Sequence, residues 1–240
     1  MPMKVALLRV AIDSGSGGMQ GPLFEDGTFE FIPIPDGSGL EARTYGNTAG
    51  RHGRKFIDYF PESRRSRMDK QSIHFDPEFE TFTYGDPTPP KAGLRHLQAG
   101  DLLVFYCGLR GWNGCESPEG LYLMGYFEVQ RSGIADEFRP DELRELFSRN
   151  AHVRVPEILA DQKDRLVLVK GGPGSRLYKK AVLISSVGED CAGRPLKILS
   201  PEMRKIFGYF DGKLSIQRSP TRWVKPEYVE CAVGFIRSRR

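Results

Sequence analysis

Two apolar runs separated by a glycine-rich loop are the feature that most constrains the fold of this chain. Residues 97–129 read LQAGDLLVFYCGLRGWNGCESPEGLYLMGYFEV. Gly100 and Asp101 predict a turn, followed by a short strand at 102–106 and, after the loop, a second strand at 121–129. Small β-barrels build the mouth of a ligand pocket from buried strands and such a loop. We therefore expect this stretch to carry a pocket.

Shorter patterns elsewhere predict further strands and a few helices. Residues 4–12 form a continuous apolar run, which is typical of a strand buried on both faces. Residues 139–149 and 201–207 predict helices, the second with Ser200 as its N-cap, and residues 165–170 predict a strand. Together these patterns predict a mixed α+β protein with a β-rich core and peripheral helices.

The domain organisation is open at this level. The 240 residues fit one α+β domain over 1–240, or an N-terminal lobe over 1–90 followed by a β core over 91–240. Residues 36–70 show little periodicity, much glycine and many basic side chains. A loop of this length inside a compact domain is usually functional or disordered.

Composition argues against a membrane protein. No run approaches the ~18 apolar residues that a membrane helix needs, and the apolar stretch near the N-terminus is too short for a signal peptide. We therefore expect a cytoplasmic protein. The four cysteines lack the paired spacing of a zinc site, so ordinary thiols are expected.

An acidic and aromatic segment, HFDPEFETFTYGD, begins at His74. In an extended strand His74, Asp76, Glu78 and Glu80 would share one face, because side chains alternate. That face predicts acid/base residues or carboxylate ligands of a divalent metal. The alternative is a solvated acidic strand edge. Neither the metal nor any cofactor is identified by the pattern.

A glycine-rich loop, DSGSGGMQGP, follows the first predicted strand and begins with Asp13. Glycines after a strand let backbone N–H groups approach an anion, and Asp13 is a candidate catalytic residue at the strand end. The spacing is neither a P-loop nor a dinucleotide-binding fingerprint. A flexible turn is the alternative. His152 is interpreted as a loop residue rather than a catalytic base.

Two basic segments are candidate nucleic-acid contacts. Lys170, Arg176 and Lys179 surround a glycine loop that resembles a phosphate-contact loop, although a hairpin with a basic rim explains it equally. Gln217 and Arg218 can contact base edges, and a nearby tryptophan can stack. The alternative for this second segment is a C-terminal strand whose tryptophan fills the core.

Several of these motifs together resemble one family. The stretches MKVALLRVAIDSGSGGMQGPLF, HFDPEFETFTYGD, GDLLVFYCGL, LYLMGYFEV and RLVLVKGGPGSRL resemble the nucleotide-modification-associated family Nmad3 over nearly the whole chain. Membership implies an association with systems that make, recognise or process modified DNA bases, largely in phages and bacteria. It implies no particular reaction and no catalytic residue.

A second resemblance concerns the fold. The turn, apolar strand, loop and GYFEV arrangement, with LSIQRSPTRWV near the end, is similar to the PUA-like superfamily, which includes ASCH, EVE and YTH domains. Those small barrels hold a base, often a modified one, in an aromatic-lined pocket. The resemblance implies a barrel core, although the first ninety residues have no counterpart there.

Three functions follow as hypotheses. A reader would flip a modified base into a pocket lined by Tyr106, Trp112 and Tyr126, while the basic residues hold phosphates. A glycosylase, transferase or nuclease would instead use the acidic residues beside that pocket. The third is an interaction subunit of a DNA-modification or phage-defence system. The expected partners are DNA or a nucleotide with a modified base and proteins of such a system, without a membrane.

Overall fold

The computed structural model describes residues 2–210, 215–217 and 220–239. The strands in this part of the chain are β1 (Val5–Arg9), β2 (Gly21–Leu23), β3 (Ile34–Pro35), β4 (Ile73–His74), β5 (Thr83–Asp86), β6 (Leu102–Gly111), β7 (Gly120–Ile134), β8 (Val167–Gly171), β9 (Arg176–Leu183), β10 (Ser185–Glu189), β11 (Pro195–Leu199) and β12 (Arg222–Trp223). The α-helices are α1 (Glu62–Met68), α2 (Pro140–Phe147), α3 (Pro156–Gln162), α4 (Pro201–Phe207) and α5 (Pro226–Arg237). Short 3-10 helices span Phe56–Tyr59, Pro89–His96 and Ala135–Glu137. The predicted mixed α+β class is confirmed.

One large mixed sheet organises the fold, in the order β12-β1-β6-β7-β8-β5. β1 and β2 both run parallel to β6 and pair with its first and second half, while β6 and β7 form the antiparallel pair that the central sequence stretch predicted. β7 is long enough to pair with β9 in its first half and with β8 in its second. β7 therefore joins β6, β8 and β9 into one sheet.

The sheet does not close into a barrel. β12 and β5 lie at opposite ends of its strand order and pair with different partners, β1 and β8. The prediction of a closed barrel is therefore wrong. Instead, two separate layers cover an open sheet and bury both faces of its central strands. A relation to the PUA-like domains stays a prediction.

The central strands are buried on both faces. In β1, Ala6 and Leu8 belong to one core cluster, while Val5 and Leu7 belong to the cluster on the opposite face. α4 and α5 cover the second face through Phe207, Ala232 and Ile236 among others, and aromatic side chains including Phe29 and Phe79 cover the first. The continuous apolar run at the N-terminus predicted this double burial.

Residues 36–70 are better ordered than the sequence predicted. They contain the 3-10 helix Phe56–Tyr59 and α1, and their aromatic side chains form a third core cluster with Ile12 and Ile32. Four of the sparse apolar residues of this segment are aromatic, so they bury a large area despite their low periodicity. No α-helix in the described part of the chain is long and apolar enough to cross a membrane.

Candidate functional site

The segment from β4 to β5 places two predicted site residues at the wall of a cavity. β4 pairs antiparallel with β3, which sets His74 opposite Ile34, and Asp76 follows two residues later. β5 then pairs with β8, and the backbone N–H of Gly85 donates to the Asp76 carboxylate at 2.9 Å. The sequence pattern thus correctly put His74 and Asp76 side by side.

His152 reaches the same place from the loop between α2 and α3. Its Nε2 atom lies 3.4 Å from Oδ2 of Asp76. Nε2 of His74 lies 3.9 Å from the same oxygen, and the two imidazole centroids are 4.7 Å apart. His152 is a loop residue, as interpreted from the sequence, but its ring is buried in this cluster.

Both rings have an oxygen beside their other nitrogen. Nδ1 of His152 is 2.8 Å from Oε1 of Gln162, and Nδ1 of His74 is 3.7 Å from Oδ1 of Asp36. An acceptor at Nδ1 favours the tautomer that carries its proton there. The Nε2 atoms of both rings are then left facing Asp76.

The electrostatics of the cluster are set by burial and by these contacts. Burial raises the pKa of Asp76, and the contacts with His152 and His74 oppose it only in part. Burial acts to lower the pKa of His152, but the contacts with Asp76 and Gln162 outweigh it, so this pKa is raised. The interaction with His74 lowers the pKa of Asp36 to about 2. Asp36 is therefore charged beside His74 at neutral pH.

We call the adjoining space the histidine cavity; its volume is about 590 Å³. Its lining includes the three clustered residues together with Arg9, Asp13, Tyr84, Asp86, Lys91 and Gln217. Burial lowers the pKa of Lys91 to about 8. The cavity thus combines two cationic side chains with a buried acid–imidazole cluster.

Asp13, a third predicted catalytic residue, also lines this cavity, but its carboxylate is engaged by its own loop. It accepts hydrogen bonds from the backbone N–H groups of Gly15 at 2.8 Å and Ser16 at 2.7 Å. It also forms an ion pair with Arg9 at 3.0 Å. These two glycine-loop amides therefore bind Asp13 rather than an external anion.

Glu78 and Glu80 lie outside the histidine cavity. The segment 78–83 folds back on itself, since Glu78 and Thr83 exchange backbone hydrogen bonds at 2.8 and 2.9 Å. The Glu78 carboxylate accepts hydrogen bonds from the backbone of Glu80 and Thr81, and Glu80 pairs with Arg149 on the surface. The single extended face expected from the sequence therefore ends at Asp76.

The three predicted base-stacking residues are not brought together. Tyr106 and Tyr126 are fully buried in the core, where the Tyr106 hydroxyl donates to the carbonyl of Ile216 at 3.0 Å. Trp112 belongs to a different cluster and packs edge-on against Tyr59, with ring centroids 5.4 Å apart. Within the described residues these rings form no shared pocket, because Tyr106 and Tyr126 face one core cluster, whereas Trp112 follows the end of β6 and packs against another.

The predicted binding residues in the two basic segments are also dispersed. The Lys170 ammonium donates to the carbonyl of Thr81, and the Arg176 guanidinium lies 5.8 Å from the Tyr126 ring centroid. Lys179 is exposed on β9. Gln217 lines the histidine cavity. Arg218 lies outside the described residues.

A second cavity of about 780 Å³ lies on the other side of the segment that follows β4. Phe75 and Pro77 line it, whereas His74 and Asp76 line the histidine cavity. Its other lining residues include Glu30, Arg43, Arg51, Phe56, Glu78, Phe79, Arg149 and Arg154. We call it the arginine–phenylalanine cavity.

Sequence reasoning missed several residues of the site. His152 carries no periodic signal and is far from His74 in the chain. Asp36 begins the stretch of low periodicity at 36–70, and no motif marked Gln162 or Lys91. The one usable signal is that His152 is a histidine. The chain has only four histidines, and His74 already belongs to a candidate motif.

Comparison with known families agrees with the resemblance seen in the motifs. A family model described as nucleotide modification associated domain 3 matches residues 4–235. The chain belongs to the Nmad3 family. Neither curated proteins nor solved structures give a significant match. Membership in Nmad3 connects this chain with nucleotide modification.

Proposed function

We propose that this Nmad3 protein is an enzyme that acts on a nucleotide or on a nucleobase of DNA, and that its reaction takes place in the histidine cavity. The observation that carries the proposal is the convergence of His74, Asp76 and His152 at one cavity wall, with two imidazole Nε2 atoms facing one buried carboxylate. Two segments distant in sequence supply these groups, the stretch 74–76 and the loop between α2 and α3. Perturbed titratable groups in a cleft are typical of functional sites.

The cluster has the groups needed to activate water or a hydroxyl group. Imidazole exchanges protons near neutral pH, and a neighbouring carboxylate orients the ring and stabilises its charged form. Asp76 is itself held in place by the N–H of Gly85. Hydrolysis and group transfer at a nucleotide are therefore the reaction classes that the cluster supports best.

The remaining lining supports an anionic substrate of nucleotide size. Small-molecule sites are generally clefts of roughly 300–1,000 Å³, and the histidine cavity falls in that range at about 590 Å³. Lys91 and Arg9, which pairs with Asp13, lie on its lining, where a phosphate oxygen could compete with the carboxylates for them. A free nucleotide, or one nucleotide turned out of a DNA strand, fits these dimensions.

Mass spectrometry of nucleosides tests the proposal. The protein is incubated with DNA that carries modified bases and with free nucleotides, and the products are digested to nucleosides and compared with untreated samples. We expect a new or missing nucleoside with the unaltered protein and at least a ~100-fold slower change with His152→Ala. His96→Ala is the matched control, because His96 lies outside the histidine cavity. Unchanged nucleosides and intact strands would refute the proposal.

Recognition without chemistry is the second candidate, favoured by the arginine–phenylalanine cavity. The Arg43 guanidinium carbon lies 4.2 Å from the Phe75 ring centroid. Stacked arginine and aromatic planes are the surfaces on which proteins hold unpaired bases. The charge there is partly balanced, since Arg43 and Arg154 both pair with Glu41, at 3.1 and 2.8 Å.

Oligonucleotide binding separates the two candidates. If the arginine–phenylalanine cavity is a reader site, Phe75→Ala weakens binding of modified DNA in fluorescence anisotropy, while Arg165→Ala, a surface arginine paired with Asp161 at 2.9 Å, does not. An enzyme without a reader site shows the same binding for both variants. In that case only the histidine variants change the rate of nucleoside processing.

A further inference from the structure

The spacing within the histidine cluster is too wide for hydrogen bonds. Nε2 of His152 and Nε2 of His74 lie 3.4 and 3.9 Å from Oδ2 of Asp76, whereas such hydrogen bonds measure about 2.7–3.2 Å. The ligand atoms of one tetrahedral metal ion lie about 3.3 Å apart, because each bond is about 2.0–2.2 Å long. The 3.4 Å gap between His152 and Asp76 thus matches a shared ion, and the ligand atoms of all three residues lie within 4.8 Å of one another.

The outer contacts of the cluster are those of ligand histidines. Histidines that bind a metal generally donate their other ring N–H to a carboxylate or carbonyl oxygen, which fixes the ring and its tautomer. Gln162 takes this place for His152 at 2.8 Å, and Asp36 faces His74 at 3.7 Å. The Nε2 lone pair of His152 is therefore directed towards the space beside Asp76, and Nε2 of His74 faces the same space.

Asp76 is held in the same way. Both of its carboxylate oxygens lie within hydrogen-bonding distance of the Gly85 N–H, at 2.9 and 3.1 Å. A Cβ on Gly85 would lie only 2.9 Å from Cδ2 of His152, so the backbone approaches the cluster as closely as glycine permits. All three potential ligands are thus oriented by neighbouring groups.

We propose that His74, Asp76 and His152 bind one divalent first-row transition-metal ion, through Nε2 of each imidazole and a carboxylate oxygen. This inference deepens the proposed function, because the ion would lie in the same cavity. Two imidazoles and one carboxylate suit Zn²⁺, Fe²⁺ or Mn²⁺, whereas Mg²⁺ and Ca²⁺ prefer oxygen ligands throughout.

The position of the cluster at the cavity wall leaves room for further ligands. Structural zinc sites are closed by four protein groups, whereas catalytic sites use three and leave a position for water or substrate. These three ligands all line the histidine cavity. Asp13 and Asp86, also in its lining, match Arg9 and Lys91 one charge for one. The geometry therefore points to an ion accessible to substrate.

Metal analysis of the full-length protein tests the inference. The protein is stripped with a chelator and dialysed against Co²⁺ or Zn²⁺, and bound metal is measured by mass spectrometry and by the Co²⁺ absorption spectrum. We expect one ion per chain, with nitrogen and oxygen ligation. His74→Ala and His152→Ala each weaken binding at least about tenfold, and Gln162→Leu weakens it by about 10–100-fold through the lost contact with His152. His96→Ala and added Mg²⁺ leave it unchanged.

Two results overturn the inference whatever the variants' folding. One is an unaltered protein that retains neither Co²⁺ nor Zn²⁺, and the other is a Co²⁺ spectrum with thiolate bands, which places the ion on cysteine. Equal binding by correctly folded His74→Ala protein overturns it as well. Metal binding with no nucleoside change refutes only the proposed function, whereas nucleoside processing by a protein that retains neither Co²⁺ nor Zn²⁺ refutes only the metal site.

Discussion

Nε2 of His152 lies 3.4 Å from Oδ2 of Asp76, although the two residues come from distant parts of the chain. Both residues are buried, at 7% exposure each, and both line the histidine cavity. A buried acid and imidazole that are not in tight hydrogen-bond contact form an unusual core element, because burial of charged groups is costly without close partners. This relationship is the basis for assigning the site here rather than to the Trp112 loop.

Asp76→Asn separates the charge of this residue from its structural contact. The asparagine carbonyl can still accept the hydrogen bond from the Gly85 N–H, so we expect a nearly unchanged melting temperature. Nucleoside processing should fall at least about 100-fold, because the buried negative charge is lost. Asp141→Asn, on the exposed face of α2, is the control. Full activity in Asp76→Asn would remove Asp76 from the reaction.

Gly85→Ala tests the close packing behind the cluster. The added Cβ would lie 2.9 Å from His152 Cδ2 and 3.1 Å from Asn150 Oδ1, so the His152 ring must move. We expect a loss of about 1–3 kcal/mol in the free energy of unfolding together with weaker activity. Gly37→Ala, where a Cβ meets nothing within 4 Å, should change neither quantity. Chemical denaturation measures both variants.

Trp112→Ala distinguishes a core tryptophan from a base-stacking one. Trp112 packs edge-on against Phe24 and Tyr59, with ring centroids 5.7 and 5.4 Å away. Loss of this half-buried ring should lower the free energy of unfolding by about 1–3 kcal/mol. Nucleotide binding should stay unchanged once the variant is folded. Reduced binding at unchanged stability would instead support the stacking role expected from the sequence.

Glu78→Ala should act on stability rather than on chemistry. Glu78 is 5% exposed, and its carboxylate accepts a hydrogen bond from the backbone N–H of Thr81 at 3.0 Å. Its removal leaves the turn after Asp76 without these acceptors, at a cost of about 1–3 kcal/mol. Thermal melting measures this loss, and Glu80→Ala on the surface is the near-neutral control. A folded Glu78→Ala protein that has lost nucleoside processing would contradict this assignment.

Local sequence signals predicted much of the fold. Ser200 caps α4, where its hydroxyl accepts the N–H of Met203 at 3.3 Å, and α4 covers Pro201–Phe207 as predicted. The predicted helix at 139–149 appears as Pro140–Phe147. Such elements have caps and periodic apolar residues within a few positions, so their information lies in the local sequence.

Longer-range features escaped the sequence. α5 was not predicted, although Val229, Ala232, Val233 and Ile236 show helical spacing there. α1 was hidden in a basic segment because only Met68 of its residues is buried. The prediction of a closed barrel was wrong for a similar reason, since strand pairing across the sheet depends on contacts between distant residues.

The candidate site also contains some residues that local sequence predicts and others that only long-range packing brings in. The sequence grouped His74 with Asp76 because residues two apart in an extended segment lie on the same side, and both residues do line the cavity. Glu78 and Glu80 were grouped with them by the same alternation, which stops where the chain turns back after Asp76. His152 joins the cluster only through the packing of the loop after α2, which no local pattern records.

The ring nitrogens of the four histidines give the most direct test of the site. His74 and His152 line the histidine cavity, whereas His52 and His96 do not. Long-range ¹H–¹⁵N spectra are recorded while nucleotides from digested, base-modified phage DNA are added. We expect the resonances of His74 and His152 to shift on binding while those of the other two histidines stay in place. Bound nucleotide that shifts only His52 or His96, or none of the four, would contradict it.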